Sequence, residues 1–573
     1  MESIRALRRV SIAIGLALAA PGCATPVSDL ADDYLAALLI RYPEQAQQSG
    51  LATPAADRFF DASPAALATW QRREDSWRAA LDRVDPGKLT GTDRITYGFL
   101  RQDLDNSVRT RICRQELWPV EQMSGWAASY PDLAAAEPVG TPANRAQALR
   151  RWATFPDYLQ AEIINLKAGL AAGYSTPRHN VELVIAQIDG LLAGPVDKSP
   201  MYAPAATDPD PAFRAAWTAL LTDKLNPAMR DYRDWLAANY LPKARTSFGV
   251  LALPNGPACY RALLQRQTSL SIDPKALYDQ GVAAVANRTA KAKELAKQVY
   301  GTDDLSTLRA RLDADPANHF ASREDIQSYS QAAIDRAQAA LPRMFAVLPL
   351  APVHIQPIPA FNEEHSVPYY LPAAADGGRP GSYMISLYKP KTQNRSNLEA
   401  VAFHETVPGH HLQLSLAQQL PAAHPVTQMI FNGGFVEGWA VYAETLSDEM
   451  GLYSTPLSRL GEYIQLPTGM VADPGVHLLG WTRQQTIDYF LKTRPDYSLD
   501  RAASQADRIA ANPGQLTTYF TGALEIIRLR QAAEAALGSR FDIRAFHAQV
   551  LGDGSVTLPM LRAKVEAWVK ATK

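Results

Sequence analysis

The chain has 573 residues, of which 47% are hydrophobic and 20% are charged, and these proportions are typical of a globular protein. Its formal net charge is −1, which excludes the broad cationic surface that binds nucleic acid or anionic lipid through charge alone. The length predicts about two to four domains, although a large helical enzyme can also form one continuous body around a cleft.

The first residues have the pattern of a bacterial export signal. Three arginines precede an apolar run, Val10–Ala20, that is too short to cross a bilayer comfortably. The segment Leu18–Cys23 is similar to a lipobox, which predicts that residues 1–22 are a lipoprotein signal peptide and that Cys23 carries a lipid anchor. Ala24 is not an inner-membrane retention signal of the Asp type, so we expect the periplasmic side of the outer membrane. The alternative is ordinary signal cleavage and a soluble periplasmic protein.

Apolar residues at helical spacing predict a succession of amphipathic helices in the mature chain. The predicted helices cover residues 30–39, 149–166, 209–241, 274–299 and 324–341. Clusters of Pro and Gly predict loops near 195–211 and 253–257. We divide the mature chain into an N-terminal helical region, 23–260, and a C-terminal helical region, 261–573, which we expect to form one body.

Two cysteines remain in the chain beside Cys23. An exported compartment permits a disulfide between Cys113 and Cys259, but two separate buried thiols are an equally good interpretation. Neither cysteine has the neighbours expected of a nucleophile or of a Cys-rich metal site.

Proline and β-forming residues occur together in residues 343–395. Within this segment Ser382–Tyr388 is predicted to be a strand, because its β-forming residues lie between Pro380-Gly381 and Pro390. The strand lies just before the part of the chain that is richest in histidine, so we expect a small β-sheet beside it.

The run His404–His411 places three of the ten histidines and a carboxylate within a short stretch. It resembles the H-E-x-x-H zinc helix, in which two His one turn apart bind the metal and the intervening Glu acts as general base on the metal-bound water. Here Pro408 stands where the second His would be, and His410 follows after Gly409. The alternative interpretation is a polar helix end with unrelated histidines.

The Pro-Gly insertion has a physical interpretation. Ser396–Glu399 resembles a capping box that opens this helix. In a straight helix the two histidines would lie about 9 Å apart along the axis, too far for one zinc ion. Pro408 bends or widens a helix and Gly409 permits unusual dihedral angles, so a bulge there would turn His410 inward. His411 is the competing ligand, because residues seven apart share a helix face.

A zinc helix needs a third ligand, and the apolar segment Phe435–Glu444 offers two carboxylates. Glu437 and Glu444 are seven residues apart and therefore share one face of a helix. A carboxylate on an apolar helix needs a partner, and a divalent metal is such a partner. We predict Glu437 as the ligand, whereas Glu444 could orient a ligand His through a hydrogen bond without binding the metal itself. A buried salt bridge is the alternative for either residue.

Further polar residues follow toward the C-terminus. His477 comes after a Pro-Gly turn and Tyr519 precedes a long helix, and either could stabilise an oxyanion or be an ordinary structural residue. Arg528 or Arg530 could bind a peptide carboxylate, but a surface or ion-pair role is the stronger interpretation. His547 is expected to be a satisfied core residue.

These motifs together resemble the bacterial family catalogued as domain of unknown function 885. The resemblance rests on His404-Glu405-x-x-Pro408-Gly409-His410-His411, Glu437-Gly438-Trp439-Ala440 through Glu444, Asp473–His477, Tyr519-x-x-Gly522, Phe546–Gly554, Leu117–Pro119 and Gln122–Trp126. It spans nearly all of the mature chain and is most specific in the C-terminal half. It implies a mainly α, metallopeptidase-like body around a cleft, a small β-sheet next to the zinc helix, and zinc chemistry with a Glu as third ligand. It implies a chemistry more than a substrate.

The expected function is that of a zinc metallopeptidase acting on a peptide or amide. Zn²⁺ would be held, with one position open for water, by His404, His410 and Glu437. Glu405 would remove a proton from that water and pass it to the leaving amine. His477 or Tyr519 would stabilise the developing oxyanion.

Two other functions fit the same motifs. An amidase that acts on a non-ribosomal or wall-derived amide would use the same chemistry. A binding or chaperone-like lipoprotein could keep the fold without catalysis, although it would have no use for the base Glu405.

The predicted strand at 382–388 adds an expectation about substrate binding. If it lies at the edge of its sheet, it can pair with an extended peptide by β-augmentation. The alternative is a packed strand that binds no ligand.

Overall fold

The computed structural model describes residues 26–359, 363, 367–374, 379–420 and 424–573. The predicted signal peptide, residues 1–22, and Cys23 lie outside the described residues. The described part is mainly helical and contains three short strands, so the expected mainly α class is confirmed. None of its helices is both long and apolar enough to span a membrane.

Many helices begin where a capping side chain is followed by proline. The Asp273 carboxylate accepts hydrogen bonds from the N–H groups of Lys275 and Ala276. Pro274 then starts the helix with a fixed φ and without an N–H that would need a partner. Ser63 caps the third helix of the chain in the same way. Local sequence therefore sets where these helices start.

The N-terminal region consists of helices, of which those within residues 126–235 share one core. Their bounds are α1 Pro26–Arg41, α2 Pro43–Gln48, α3 Pro64–Leu81, α4 Gly91–Thr110, α5 Trp126–Ala135, α6 Pro142–Ala153, α7 Phe155–Ala171, α8 Arg178–Leu192, α9 Ala203–Thr207, α10 Pro211–Leu220, α11 Asn226–Trp235 and α12 Gly256–Thr268. Turns of π-helix at Leu221–Leu225 and Leu236–Tyr240 continue α10 and α11. Side chains between Phe59 and Ala244 form this core, in which Trp152 is fully buried.

The helix predicted over 149–166 is divided in the structure. It forms α6 and α7, which are separated at Thr154. Pro156 lacks the N–H that would bond to the Trp152 carbonyl, and its ring would crowd that carbonyl, so the chain turns before it. The predicted loop near 195–211 also contains the short helix α9, and α12 begins within the predicted loop at 253–257.

Cys113 and Cys259 form a disulfide, which decides between the two interpretations of these cysteines. Cys113 follows α4 and Cys259 lies in α12, 146 residues later. Both are buried. A bond that closes so long a loop restricts the unfolded chain and thereby stabilises the fold.

The C-terminal region continues the helical body. Its helices are α13 Pro274–Tyr300, α14 Leu308–Ala314, α15 Arg323–Ala340, α16 Arg395–Glu405, α17 His410–Gln419, α18 Val426–Met429, α19 Gly433–Glu449, α20 Pro456–Tyr463, α21 Gly469–His477, α22 Arg483–Thr493, α23 Leu499–Ala511, α24 Thr518–Leu537, α25 Ile543–Leu551 and α26 Leu558–Thr572. The core of this region also contains Tyr34, Trp77 and Leu104 from α1, α3 and α4. The first helices of the chain therefore pack with the C-terminal region.

Three strands form a small sheet: β1 His354–Pro357, β2 Tyr369–Leu371 and β3 Ser382–Ile385. The central strand is β3, which pairs with β1 in parallel and with β2 antiparallel. Because both edges of β3 are occupied, the expectation that it binds a peptide as an edge strand is wrong. The strand ends before the predicted Tyr388, because the carbonyls of Ser386 and Tyr388 accept hydrogen bonds from the Gln393 side chain.

Glycines let α19 and α24 pack with their backbones in close approach. A Cβ on Gly438 would lie 2.4 Å from the Cα of Gly522, and a Cβ on Gly522 would lie 1.8 Å from the carbonyl oxygen of Gly434. Neither position accommodates a side chain. This approach brings Glu437 of α19 and Tyr519 of α24 to the same place in the body.

Candidate metal centre

The histidine-rich run lies where two helices meet. Helix α16 ends at Glu405, the chain turns through Thr406–Gly409, and α17 begins at His410. The predicted bulge within one helix is thus a complete break between two helices. The rings of His404 and His410 meet across it in a T-shaped contact, with centroids 4.7 Å apart and planes at 87°.

Gly409 makes this tight turn possible. A Cβ at this position would lie 1.9 Å from the carbonyl oxygen of His404, a distance that no other residue tolerates. The N–H of Gly409 donates to the Phe403 carbonyl at 3.0 Å. Trp439 of α19 donates its indole N–H to the Pro408 carbonyl at 2.9 Å and so fixes the turn against the helix that carries Glu437.

The capping box predicted at Ser396 does not form. Helix α16 begins at Arg395, which places Ser396 within its first turn. The N–H of Ser396 donates instead to the side-chain oxygen of Asn318 at 2.9 Å. A side chain from a distant segment therefore satisfies the start of the helix.

His404, His410 and Glu437 form a compact cluster. The Nε2 atoms of His404 and His410 each lie 3.6 Å from Oε2 of Glu437, and one ligand atom from each residue lies within 4.8 Å of the others. In a tetrahedral zinc site with bonds of about 2.1 Å, ligand atoms are about 3.4 Å apart. The three side chains, contributed by α16, α17 and α19, are therefore spaced to hold one metal ion.

The charges within the cluster favour a deprotonated carboxylate. Burial raises the pKa of Glu437, but hydrogen bonds and charge from His404 and His410 outweigh it and lower the pKa well below its usual range. Burial lowers the pKa of His404, but Glu437 and Glu444 outweigh it and raise the pKa well above its usual range. Glu437 is therefore ionised at neutral pH, which is the form that binds metals.

Glu444 contacts His404 from the side opposite Glu437. Nδ1 of His404 donates to Oε1 of Glu444 at 2.6 Å, which leaves Nε2 to face Glu437. This is the arrangement by which a carboxylate commonly orients a metal-binding His. Nδ1 of His410 is buried and has no hydrogen-bond partner among the residues that the structure describes.

Glu405 lies beside the cluster at the end of α16. Its side chain is buried, and the backbone N–H of Tyr370 in β2 hydrogen-bonds to it. Burial raises the pKa of Glu405, and the neighbouring His404 and His410 partly offset that effect. The small sheet therefore holds the carboxylate that the motif predicts to be the base.

His411 is directed away from the cluster. Its Nδ1 accepts a hydrogen bond from the Tyr370 hydroxyl at 2.9 Å, and its Nε2 donates to the Ala351 carbonyl at 3.0 Å. Both ring nitrogens are thus used. Of the two competing histidines, the structure places His410 with His404 and Glu437.

Tyr519 of α24 lies beside His404. The two rings stack with centroids 6.3 Å apart and an interplanar angle of 28°. The Tyr519 oxygen accepts hydrogen bonds from Arg508 at 2.9 Å and from Gln515 at 3.4 Å. The phenol therefore lies beside the cluster with its own O–H proton left to donate.

His477 lies outside the cluster of His404, His410 and Glu437. Its Nδ1 accepts from the Val250 N–H at 3.1 Å, its Nε2 donates to the Ile509 carbonyl at 3.0 Å, and its ring packs on Tyr260. Burial lowers the pKa of His477 to about 3. With both nitrogens used by backbone groups, the ring has the features of a structural residue rather than of an oxyanion donor.

The remaining polar candidates also have hydrogen-bond or ion-pair partners within the protein. His547 donates to the Met344 carbonyl and accepts from the Tyr442 hydroxyl, as expected of a core residue. Arg528 forms an ion pair with Glu525, and Arg530 forms ion pairs with Glu449 and Glu534. Neither arginine is left to bind a substrate.

Sequence reasoning missed two residues that contact this site. Tyr370 holds both Glu405 and His411, and Arg508 holds Tyr519. Tyr370 lies 41 positions before His411, and Arg508 lies 11 positions before Tyr519 on a different helix. Neither residue belongs to a recognisable motif. Only spatial proximity identifies them.

The whole body is similar to two solved structures. One is the “putative lipoprotein” from Colwellia psychrerythraea, with a TM-score of 0.88 and 22% identity, covering 96% of this chain and 100% of that chain. The other is a “putative lipoprotein of unknown function” from Shewanella oneidensis, with a TM-score of 0.75 and 20% identity, covering 94% of this chain and 99% of that chain. At these identities the similarity shows the fold alone.

The comparison of sequences gives the family. No curated protein matches the chain. The family model described as “Bacterial protein of unknown function (DUF885)” matches residues 43–565, which is most of the chain and includes every member of the cluster. The chain therefore belongs to the bacterial DUF885 family.

Proposed function

We propose that this protein is a zinc-dependent metallopeptidase that hydrolyses peptide bonds. The observation that carries the proposal is the cluster of His404, His410 and Glu437, whose spacing suits one ion, directly beside the carboxylate of Glu405. Three protein ligands leave a fourth position open, which distinguishes a catalytic zinc site from a structural one.

The donor set fits zinc better than the harder cations. Two imidazoles and one carboxylate suit zinc, whereas magnesium and calcium prefer oxygen ligands alone. His404, His410 and Glu437 would hold the ion, and Glu444 would keep Nε2 of His404 turned toward it. When bound, zinc supplies a Lewis acid for the scissile carbonyl and makes water more acidic.

Glu405 is the general base in this proposal. It follows His404 directly in the chain, and the Tyr370 N–H holds its carboxylate. Glu405 would accept a proton from the attacking water as the new C–O bond forms, and would return that proton to the nitrogen as the C–N bond breaks. The products are a carboxylic acid and an amine.

Tyr519 is the proposed donor to the developing oxyanion. Its ring stacks on His404, and its oxygen accepts from Arg508, so the phenolic proton is available for a carbonyl oxygen at the cluster. His477 has no free nitrogen for this role and is not part of the proposal.

We also propose that the protein is exported and lipid-anchored in the bacterial envelope. The proposal rests on the lipobox-like sequence ending at Cys23, and the two similar structures are described as lipoproteins. The Cys23→Ser protein should leave the membrane fraction, because the acyl chains would supply the anchor. A Cys23→Ser protein that still fractionates with the outer membrane would count against the anchor.

Two alternatives use the same residues. An amidase acting on a non-ribosomal or wall-derived amide would need the same ligands and the same base. A binding lipoprotein without catalysis would need the fold but not Glu405, and the buried, hydrogen-bonded position of this carboxylate beside the ligands favours catalysis.

A peptide library tests the proposal. The mature protein would be assayed as purified, after removal of metal with a chelator, and after zinc is added back. We expect cleavage that the chelator abolishes and zinc restores. Cleavage that persists in the metal-free protein would contradict zinc catalysis. If zinc-loaded protein cleaves no peptide but releases an amine from other amides, the amidase alternative is correct.

A further inference from the structure

In the part of the chain that the structure describes, Arg508 of α23 has no acidic partner. Among the residues that the structure describes, no carboxylate lies within ion-pair distance of its guanidinium, and the hydrogen bond that it forms is to the Tyr519 hydroxyl. By contrast, Arg528 and Arg530 of α24 are both neutralised by glutamates. Arg508 therefore retains most of its hydrogen-bonding capacity for another molecule, since a guanidinium has five N–H donors.

The position of Arg508 relates it to the metal cluster. It bonds to Tyr519, and the Tyr519 ring stacks on His404. Burial lowers the pKa of Arg508, but Tyr519 and Glu437 outweigh the effect of burial and raise the pKa. The guanidinium beside Tyr519 is therefore always positively charged. Arg508 is mostly buried but not fully enclosed, which leaves part of its surface within reach of a ligand.

An unpaired guanidinium beside Tyr519 favours a ligand that carries a carboxylate. Removing a charge from water without a partner is costly, so a protein gains from a ligand that neutralises it. The planar fork of arginine binds a carboxylate through two parallel hydrogen bonds. Arg508 contacts the Tyr519 hydroxyl rather than the cluster itself, so the carboxylate that it binds belongs to a part of the substrate away from the scissile bond.

We propose that Arg508 binds the C-terminal carboxylate of a short peptide substrate, so that the enzyme removes residues from the C-terminal end. This inference rests on the proposed peptidase function. It replaces Arg528 and Arg530 as the carboxylate-binding residue and predicts exo-action rather than cleavage within long chains.

Matched substrates test the inference. A peptide cleaved in the library would be synthesised with a free C-terminal carboxylate and as the C-terminal amide. Wild-type protein should show a kcat/KM about 10- to 100-fold higher for the free acid, since charge-assisted hydrogen bonds are worth that much. In Arg508→Met this preference should disappear, chiefly through a higher KM for the acid. Arg508→Lys, which keeps the charge but not the planar guanidinium, should retain part of the preference for the free acid.

Binding provides a readout that does not depend on turnover. Zinc-loaded Glu405→Gln protein, titrated calorimetrically with the two peptides, should bind the acid more tightly by a similar factor. The added Arg508→Met substitution should remove the difference. Arg528→Met is the control, because Arg528 is already paired with Glu525 and should leave the preference unchanged.

Each other outcome has a distinct meaning. If wild-type protein cleaves and binds both peptides equally, the inference is wrong and the peptidase function stands. If Arg508→Met lowers the rates for acid and amide by the same factor, Arg508 only positions Tyr519, and the inference is also wrong. If zinc-loaded protein cleaves no peptide of the library, the proposed function itself fails.

Discussion

Nδ1 of His404 donates a hydrogen bond of 2.6 Å to Oε1 of Glu444, two residues that lie 40 positions apart in the chain. The bond fixes which nitrogen of His404 faces Glu437. The backbone carbonyl of Glu444 also accepts from the Tyr453 hydroxyl at 3.1 Å, which holds α19 at this point. The orientation of one candidate ligand is therefore set by a residue that does not itself belong to the cluster.

Replacing Glu444 should weaken metal binding without abolishing it. In Glu444→Ala the His404 ring loses its orienting partner, and we expect zinc affinity to fall about 10- to 100-fold. Competition with a chromophoric chelator measures this. Glu449→Ala on the same helix is the control, because Glu449 pairs with Arg530 and not with the cluster. Equal affinities in the two variants would show that Glu444 does not orient the ligand.

Elemental analysis of zinc should distinguish the metal ligands from the neighbouring His411. The purified protein should contain about one zinc per molecule, and His404→Ala, His410→Ala and Glu437→Ala should each lose most of it. His411→Ala should keep its zinc, because both nitrogens of His411 bond to Tyr370 and Ala351. Zinc retained by His410→Ala and lost from His411→Ala would reverse the assignment.

Glu405→Gln should separate metal binding from catalysis. The amide is nearly isosteric and can still accept the Tyr370 hydrogen bond, but it cannot take a proton from water. We expect zinc content and thermal stability to be kept while hydrolysis falls about 10²- to 10⁴-fold. The comparison uses the peptide that wild-type protein cleaves best. Wild-type rates in the variant would remove Glu405 from the mechanism.

His477 should make the fold sensitive to acid. Its pKa is lowered to about 3 in the folded protein, whereas an exposed His in the unfolded chain titrates near 6.5. The contribution of neutral His477 to the free energy of unfolding is fully present above about pH 6.5 and is lost as the pH falls toward 3. The free energy of unfolding then declines by at most about 1.4 kcal/mol per pH unit through this residue.

Urea unfolding at a series of pH values measures this slope. His477→Asn should show a shallower decline between pH 6 and 4 than the wild-type protein, because the variant has no imidazole to protonate at this position. His547→Asn serves as a comparison, since burial also lowers the pKa of His547, to about 4. An unchanged slope in His477→Asn would show that this ring does not titrate on unfolding.

Much of the candidate site could be predicted because its members lie in two short segments. His404, Glu405 and His410 occur within seven residues, and Glu437 and Glu444 share a helix face. The helix break at Thr406–Gly409 followed from a proline and a glycine, but its form did not. A break rather than a bulge depends on the close contact between Gly409 and the His404 carbonyl.

The sequence by itself determined the types of residue at the site, the helical class and the positions of many helix starts, because these depend on side-chain chemistry and on neighbours within a few residues. Only the tertiary structure decided which distant residues meet. The approach of α19 and α24 through Gly438 and Gly522 brings Tyr519 beside Glu437, and the pairing of strands makes β3 central. The same packing leaves Arg508 without a carboxylate partner among the described residues and gives both nitrogens of His477 to the backbone, since such contacts depend on how whole helices pack.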